Sequence, residues 1–432
     1  MPQASADEAG RAVAKAAWRI LPLLGIGYLL NYVDRVNVSF ASTQMNADLG
    51  FSATIYGLGA GLFYLSYSLL EIPSNMLLMR FGARRWLARI MIMWGLLAAA
   101  MLFVRTPMQF YSLRFLLGLA EAGFFPGVVF YLSQWFPTRQ RGRAIGAFLL
   151  ANPLASAVMG LVSGPLLALD GAAGLRGWQW LFLVQGLPAA AVGIVVFLFL
   201  PDSPQRARWL SEGERAALIA AVADHPSRHE AHSAPGPLTV LADRRAQLLG
   251  IIYLISLSTS TTFVLSAPAI IMERAGWDLS QASRLIFWTG LVGAATIVAT
   301  GWITDRRGER YSALLLALTI DTAAFVIMAL GTEPYHIVLG VVACLVGRGI
   351  LSTSQGTLWT DVLSGPRLAI GVAAISSVAN LGTFALPYAF GALRDTTGNY
   401  QAGLLLFPIL HLIALVSAIA LYRGRPAIPR AT

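Results

Sequence analysis

The chain has few charged residues for its length of 432. Only 12% of its residues are Asp, Glu, Lys or Arg, whereas 56% are hydrophobic. A soluble domain normally carries about 25% charged residues, because its surface must be solvated. The polar side chains are too few to cover a water-facing globule, so most of the surface must face lipid.

Lysine and cysteine are nearly absent, since Lys15 and Cys344 are the single examples of each. One cysteine excludes an intrachain disulfide. A phosphate-binding Gly-x-x-x-x-Gly-Lys-Ser/Thr loop needs a lysine in that pattern, and Lys15 does not lie in one, so a nucleotide-driven pump is excluded. The chain also lacks Gly-x-Ser-x-Gly, His-Glu-x-x-His and Cys/His clusters, which argues against a membrane enzyme.

Three histidines, at positions 225, 229 and 232, have a spacing that metal ligands can have. They lie in a polar stretch beside prolines, which argues against a metal site. We therefore expect no metal and no cofactor.

Twelve long apolar runs alternate with charged or Pro/Gly breaks, and a polar stretch over 201–245 separates the sixth run from the seventh. A helix needs about 20 apolar residues to cross the hydrocarbon core. The pattern predicts an all-α membrane protein with twelve transmembrane helices in two six-helix halves. The predicted spans are 18–40, 53–79, 86–104, 108–133, 144–168, 178–200, 247–272, 282–304, 311–330, 335–360, 368–391 and 400–422. The predicted domains are a tail at 1–17, a first half at 18–200, a central loop at 201–245, a second half at 246–422 and a tail at 423–432.

The basic residues predict the orientation. Of the 31 Lys and Arg residues, most fall in the termini and in alternate loops, including the central loop. The other loops hold only Arg105, Arg176, Arg274, Arg284 and Arg394. Basic residues accumulate on the cytoplasmic side of membrane proteins. We therefore expect both termini and the central loop to be cytoplasmic, and the first span to be retained as a transmembrane helix.

The two halves repeat each other. Arg114 precedes Glu121 by seven residues in span four, and Arg348 precedes Gln355 by seven residues in span ten. Related six-helix halves are typical of secondary transporters, whose solute site lies between the halves near the midplane.

Ionisable residues inside spans are functional candidates, because a charge in the hydrocarbon costs about 2.5–3.5 kcal/mol even on insertion scales. Arg35 and Arg114 could bind a carboxylate through charge-assisted hydrogen bonds. Asp34 and Glu121 could carry protons, because low dielectric favours the neutral form of a carboxyl group. The alternative is that Asp34–Arg114 or Arg35–Glu121 are structural ion pairs.

Arg348 mirrors Arg114 in the repeat. If its side chain faces the cavity, the site is strongly cationic and suits a dicarboxylate; otherwise Arg348 caps a carbonyl or pairs with Asp321 or Asp361. Asp321 is expected to pack against span-interior partners. Asp361, at the end of span ten, is expected to be a gate or loop contact.

Several loops resemble known signatures. Gly301–Arg310 resembles the Gly-x-x-x-Asp-Arg-x-Gly-Arg-Arg motif of the major facilitator superfamily, and Arg139–Arg143 resembles its second basic motif. More narrowly, four segments resemble motifs of the anion:cation symporter family. They are Tyr32–Asn37, Glu71–Asn75, Arg114–Gly123 and Leu200–Pro204. Members of that family include galactonate, tartrate, glucarate and phthalate permeases and the vesicular glutamate transporters. The carboxyl-terminal half matches mainly in topology.

The resemblance implies roles for these residues. Asp34 and Glu121 would couple protons, and Arg35 and Arg114 would bind substrate. The helices that line the central path in this superfamily would add uncharged site residues, at Tyr32, Asn37, Tyr67, Asn152, Trp359 and Asn380. The conformational gate would involve Arg80, Arg84, Arg139, Arg143, Asp305, Arg306 and Asp361. Span seven lacks the tyrosine and tryptophan that relatives often carry, because it reads Ser258-Thr-Ser-Thr-Thr-Phe263. The substrate therefore stays open.

We expect a monomeric carrier of the bacterial inner membrane that imports a small organic anion together with protons. Its partners would be the anion, protons and membrane lipid, and not nucleic acid. The alternatives are an anion exchanger, a sodium-coupled carrier of the same fold, or a transporter-derived sensor. Sugar acids, hydroxy-dicarboxylates and aromatic acids all fit two arginines and a few hydroxyl groups.

Overall fold

The computed structural model describes residues 3–223, 239–240, 242–307, 310–363 and 366–424. Within these ranges the secondary structure is helical, with no strand. The predicted all-α class is therefore confirmed.

Among the described residues, nine α-helices precede the central polar stretch or lie in it. Their bounds are α1 Gln3–Leu49, α2 Ala53–Phe81, α3 Ala83–Ala100, α4 Pro107–Glu121, α5 Phe124–Ser133, α6 Thr138–Leu149, α7 Ala151–Leu167, α8 Gly177–Phe199 and α9 Glu212–Ala223. In the described part of the chain that follows this stretch there are six more. They are α10 Arg244–Ala275, α11 Leu279–Arg307, α12 Arg310–Leu330, α13 Pro334–Val362, α14 Pro366–Thr397 and α15 Gln401–Arg423.

Eleven segments of the described chain are long and apolar enough to cross a membrane. Two of them consist of two helices each, namely Pro107–Ser133 and Gln140–Leu167. These eleven correspond to all the predicted spans except the eleventh, which falls within the 32-residue helix α14.

Helix α1 is longer than the span predicted for it, because the polar residues before position 18 continue the helix back to Gln3. Lys15 Nζ lies 2.6 Å from Glu214 Oε1 in α9, which ties this extension to the start of the central polar stretch. The hydrogen bond from Lys15 lowers the pKa of the Glu214 carboxyl group. The amino-terminal segment is therefore ordered by a charge pair outside the apolar spans.

The fourth span is broken where α4 ends at Glu121 and α5 begins at Phe124. Gly123 joins them with a φ of 85°, in the left-handed region that glycine adopts without strain. A Cβ atom on Gly123 would also lie 2.6 Å from Ser74 Oγ. Both the backbone angle and the close approach of α2 therefore require glycine at position 123, two residues after Glu121.

Contacts divide the chain into two compact units. The first comprises Met1–Gln44 and Leu65–Arg228, and the second comprises Met45–Tyr64 and His229–Thr432. The second unit therefore includes the beginning of α2 as well as the helices after the central stretch. Within it, Leu249, Leu314, Leu358 and Ala414 belong to a fully buried apolar core shared by α10, α12, α13 and α15.

Helices α3 and α8 of the first unit pack with their backbones in close contact. A Cβ atom on Gly186 would lie 2.5 Å from both the Ala99 nitrogen and the Gly95 oxygen. A Cβ atom on Gly95 would in turn lie 2.5 Å from the Ala190 nitrogen. Small residues allow this approach in membranes, where packing replaces the hydrophobic effect as the force between helices.

We expect Gly186→Ala to destabilise the protein, because the added methyl group meets backbone atoms that cannot rotate away. Overpacking of this kind typically costs about 1–3 kcal/mol. The measurement is the Tm of the detergent-purified protein. Gly164→Ala is the matched control, since a Cβ atom at Gly164 meets nothing within 4 Å. Equal Tm values for the two variants would contradict the tight α3–α8 contact.

Candidate functional site

Glu121 lies at the centre of a polar cluster inside the first unit. Its side chain is fully buried at the end of α4. Glu121 Oε2 accepts hydrogen bonds from Asn31 Nδ2 at 2.8 Å and from Arg35 Nε at 3.1 Å. Because Asn31 and Arg35 are one helical turn apart on α1, both reach the same carboxylate. We call Asn31, Asp34, Arg35, Arg114 and Glu121 the polar cluster.

Asp34 faces the same carboxylate from the neighbouring position on α1. Its side chain is buried, within hydrogen-bonding range of Glu121 and near Arg114 and Arg35. Asp34 Oδ2 has no hydrogen-bond donor among the described residues. The cluster thus contains two acidic groups close together and two arginines, all within the amino-terminal spans one and four.

Aromatic rings hold the Arg35 guanidinium in place. Its Cζ lies 4.8 Å from the centre of the Tyr67 ring and 5.5 Å from the centre of the Tyr32 ring. The face of an aromatic ring attracts a cation, and more strongly where water is excluded. Tyr32 and Tyr67, both expected as site residues, therefore contact the arginine expected to bind substrate.

Two residues of this neighbourhood were not among the predicted site residues. Asn31 bonds Glu121 directly, and the Tyr28 hydroxyl lies 3.4 Å from the Tyr32 hydroxyl. The i,i+4 spacing of Asn31 and Arg35, and of Tyr28 and Tyr32, is the sequence signal that could have identified them.

The other predicted residues of the first unit differ in their surroundings. Asn37 is 1% exposed, and neither of its amide atoms has a hydrogen-bond partner among the described residues. Asn152 is exposed on α7. The assignment of Asn37 and Asn152 to a substrate site therefore stays a prediction.

The predicted site residues of the second unit are held by different contacts. The Trp359 ring lies 5.2 Å from that of Tyr253, edge to face, and packs against the apolar core of this unit. Asn380 is half-buried on α14. Arg348 Cζ lies 5.3 Å from the centre of the Phe263 ring, and the Arg348 guanidinium is close to Asp321 and Cys344. Arg348 thus lies near Asp321, and its place in a substrate site stays a prediction.

Among the predicted gate residues, Arg84 has the clearest contacts. Its backbone nitrogen donates to Asp202 Oδ1 at 3.2 Å, and its Nε lies 3.7 Å from Asp202 Oδ2. A Cβ atom on the preceding Gly82, whose φ is 88°, would lie 2.9 Å from the same carboxylate. The basic loop after α2 is thus joined to the Leu200-Pro-Asp-Ser-Pro204 segment after α8.

Arg80 and Asp361 are exposed near helix ends. The side chains of four other predicted gate residues lie outside the described residues, namely Arg139, Arg143, Asp305 and Arg306. The three histidines at 225, 229 and 232 also lie outside them. Within the described part of the chain, no group of three or more His, Cys, Asp or Glu residues could hold a metal ion.

Sequence relatives cover nearly the whole chain. A protein of Agrobacterium vitis named as a tartrate transporter is 39% identical over 425 residues, which are 97% of this chain and 93% of the relative. The quinolone resistance transporter of Acinetobacter baumannii is 38% identical and covers 95% of this chain and 94% of its own. The inner membrane transport protein RhmT of Escherichia coli is 31% identical, and the match covers 96% of this chain and 95% of RhmT.

Solved structures agree on the fold. A bacterial homologue of the human lysosomal transporter Spinster superposes with a TM-score of 0.76 at 17% identity, over 95% of this chain and 98% of its own. The xylose transporter XylE of E. coli superposes with a TM-score of 0.69 at 15% identity, over 95% of this chain and 98% of XylE.

The family model of the Major Facilitator Superfamily matches residues 24–346 and 249–432. These relatives are transporters, which confirms that the protein is a carrier and not an enzyme. The chain belongs to the Major Facilitator Superfamily, as a multi-pass membrane transporter.

Proposed function

We propose that the protein is a proton-coupled symporter that imports a small organic anion by alternating access. The observation that carries this proposal is that Arg35 and Asp34 both contact the buried Glu121 carboxylate. Glu121 Oε2 accepts a hydrogen bond from Arg35, and the Asp34 carboxyl group lies within hydrogen-bonding range of Glu121. An anion-binding group and a proton-binding group therefore meet at a single residue.

Arg35 and Arg114 are the groups that would bind the anion. A guanidinium in a water-poor site forms short, charge-assisted bonds to a carboxylate. The side chain of Arg35 is 18% exposed, so part of it remains reachable while its Nε contacts Glu121. The name of the A. vitis relative, which specifies tartrate, supports a carboxylate substrate, and so does the resemblance of the span-one and span-four motifs to the anion:cation symporter family.

Asp34 and Glu121 are the groups that would bind the proton. Two ionised carboxylates in contact repel each other, and burial removes the water that would screen them. One proton shared by the two groups removes this repulsion by converting one of them into a hydrogen-bond donor.

Coupling follows from competition for Arg35. While Glu121 is ionised it binds the Arg35 guanidinium, which is then less available to a substrate carboxylate. Protonation of Glu121 weakens that ion pair and releases Arg35 to the substrate. A proton and an anion would therefore bind together, and the loss of either would favour the loss of the other.

The remaining parts of the proposal come from the sequence pattern. The basic residues of alternate loops favour an orientation with both termini in the cytoplasm. A monomeric state and a location in the bacterial inner membrane are part of the same proposal. Asn37, Asn152, Trp359, Asn380 and Arg348 are proposed to complete the substrate site in other conformations of the cycle. The predicted gate residues are proposed to hold one of the two states. They are Arg80, Arg84, Arg139, Arg143, Asp305, Arg306 and Asp361.

The overall test is uptake of a carboxylate library into liposomes that contain the purified protein. We expect at least one organic anion to accumulate under an inward proton gradient. A protonophore should abolish this accumulation, and replacing sodium should leave it unchanged. Sodium-dependent or strictly exchange-driven uptake would replace the proposal by one of its two alternatives.

We expect Arg35→Ala and Arg114→Ala each to abolish anion binding. Losing a desolvated charged partner typically costs about 2–5 kcal/mol, and each 1.4 kcal/mol is about a tenfold change in affinity. The measurement is the Kd of the transported anion, with the yield and Tm of each variant recorded. Arg105→Ala, at an exposed loop position, is the control. Near-normal affinity in either variant would make that arginine structural.

We expect Tyr67→Leu to weaken anion binding several-fold more than Tyr67→Phe. Phenylalanine keeps a ring face for the Arg35 guanidinium, whereas leucine removes a cation–π contact worth about 0.5–2 kcal/mol. Equal Kd values for the two variants would show that the ring does not position Arg35.

We expect Glu121→Gln to retain anion binding and counterflow but to lose proton-driven accumulation. The glutamine oxygen can still accept from Asn31 and Arg35, and its amide can donate to Asp34 without a bound proton. The measurement compares counterflow of labelled anion with uptake under a pH gradient. Glu212→Gln, on the exposed face of α9, should behave like the unmodified protein. Accumulation by Glu121→Gln would move the coupling role to Asp34.

A further inference from the structure

A second pair of buried titratable groups lies in the second unit, on α12 and α15, which carry none of the proposed substrate-site residues. Asp321 on α12 and His411 on α15 have side chains that are 2% and 1% exposed. Asp321 Oδ2 lies 3.8 Å from His411 Nε2. An acid and a base are thus buried beside each other between two transmembrane helices.

The hydrogen position on His411 follows from its other nitrogen. His411 Nδ1 lies 2.9 Å from the Phe407 carbonyl oxygen, one helical turn earlier. A carbonyl oxygen only accepts hydrogen bonds, so Nδ1 must carry a hydrogen. In a neutral imidazole the other nitrogen, Nε2, is then a lone-pair acceptor.

This tautomer leaves a conflict at Nε2. An ionised Asp321 carboxylate is also an acceptor only, so two lone-pair groups would face each other in a site without bulk water. One additional proton resolves the conflict, either on Nε2, which gives an imidazolium and a carboxylate, or on Asp321, which gives a carboxylic acid and a neutral ring. The opposite tautomer would place the Nδ1 lone pair 2.9 Å from the Phe407 oxygen, which is unfavourable.

The groups that face this pair from α13 are Arg348 and Cys344. The Arg348 guanidinium is close to both Asp321 and His411, and the Cys344 thiol is close to Arg348 and Asp321. Helix α10 contributes the Phe263 ring, which carries no charge. Asp321 Oδ1 and Arg348 Nη2 are buried without a hydrogen-bond partner among the described residues, so the cluster is not a saturated structural network.

We propose that Asp321 and His411 hold one shared proton and form a proton-binding site of the carboxyl-terminal half. The proposal concerns the second unit alone and does not depend on the polar cluster around Glu121. When the proton leaves, the Asp321 charge offsets that of Arg348; when it is bound, one more positive charge surrounds Arg348. Proton occupancy of this pair therefore sets the charge around the arginine of span ten.

The test uses the small number of histidines, of which the chain has 5. The full-length protein is labelled with ¹⁵N-histidine, placed in lipid nanodiscs and titrated between about pH 5 and pH 9, on both sides of the His reference pKa. The His411 signals are assigned by their loss in His411→Gln. His336→Gln, at a helix start near the surface, is the matched control and should leave those signals unchanged.

The ¹⁵N shifts distinguish the protonation states of the ring, and infrared spectroscopy detects the carboxylic-acid form of Asp321. We expect Nδ1 to carry hydrogen throughout. We also expect one proton per molecule to be bound by the pair, seen either as an imidazolium or as a carboxylic-acid band that disappears in Asp321→Asn. In Asp321→Asn the amide can donate to Nε2, so the ring should stay neutral across the range and that proton should be lost.

Two results would overturn the proposal. The first is a neutral ring with hydrogen on Nε2, because that ring donates to an ionised Asp321 without any additional proton. The second is a neutral ring with hydrogen on Nδ1 and an ionised Asp321 at every pH tested. Both readouts are independent of transport, so they remain decisive if proton-driven accumulation fails, and transport can equally succeed without this site.

Discussion

The cost of placing charge in a membrane governs the arrangement of this protein. Glu121, Asp34 and Arg114 are almost fully buried, and an isolated ion there is strongly unfavourable. Each is therefore found close to a group of opposite charge or to a hydrogen-bond donor. Glu121 illustrates the rule, because Asn31 and Arg35 both donate to one of its oxygens. Because Arg35 is also the proposed contact of the anion, Glu121 is well suited to exchange this partner during transport.

A break in the helix of span four positions the Glu121 carboxylate. The helix ends at Glu121, and Gly123 turns the chain through a left-handed conformation before α5 begins. The Ser74 side chain of α2 occupies the space that a larger residue at this position would need. The break thereby combines a helix end, a close helix approach and a charged side chain in one short segment, as broken helices do at the sites of other transporters.

The halves repeat in sequence but differ in chemistry. Arg114 and Arg348 occupy matching positions, yet Arg114 lies near the Asp34 carboxyl group of span one, whereas Arg348 lies near Asp321 and Cys344. The residue that matches Glu121 is Gln355, which is uncharged. The predicted site residues did not include His411, although it is an ionisable residue inside span twelve, which is the signal that selected the others. Only the packing of α12 against α15 places it beside Asp321.

The sequence by itself determined that the chain is a helical membrane protein and to which superfamily it belongs, because apolar run length, charge scarcity and short loop motifs are local properties of the chain. It predicted twelve spans, and eleven segments of the described chain are long and apolar enough to be spans. It also selected Asp34, Arg35, Arg114 and Glu121, since each is an ionisable residue inside an apolar run. Only the tertiary structure decided which of them meet: Asn31 joins Arg35 on Glu121, Tyr67 covers the guanidinium, and Trp359 packs against Tyr253. Such pairings depend on how helices far apart in sequence rotate and approach one another, and that rotation is fixed by the close packing of many small contacts that no local pattern records.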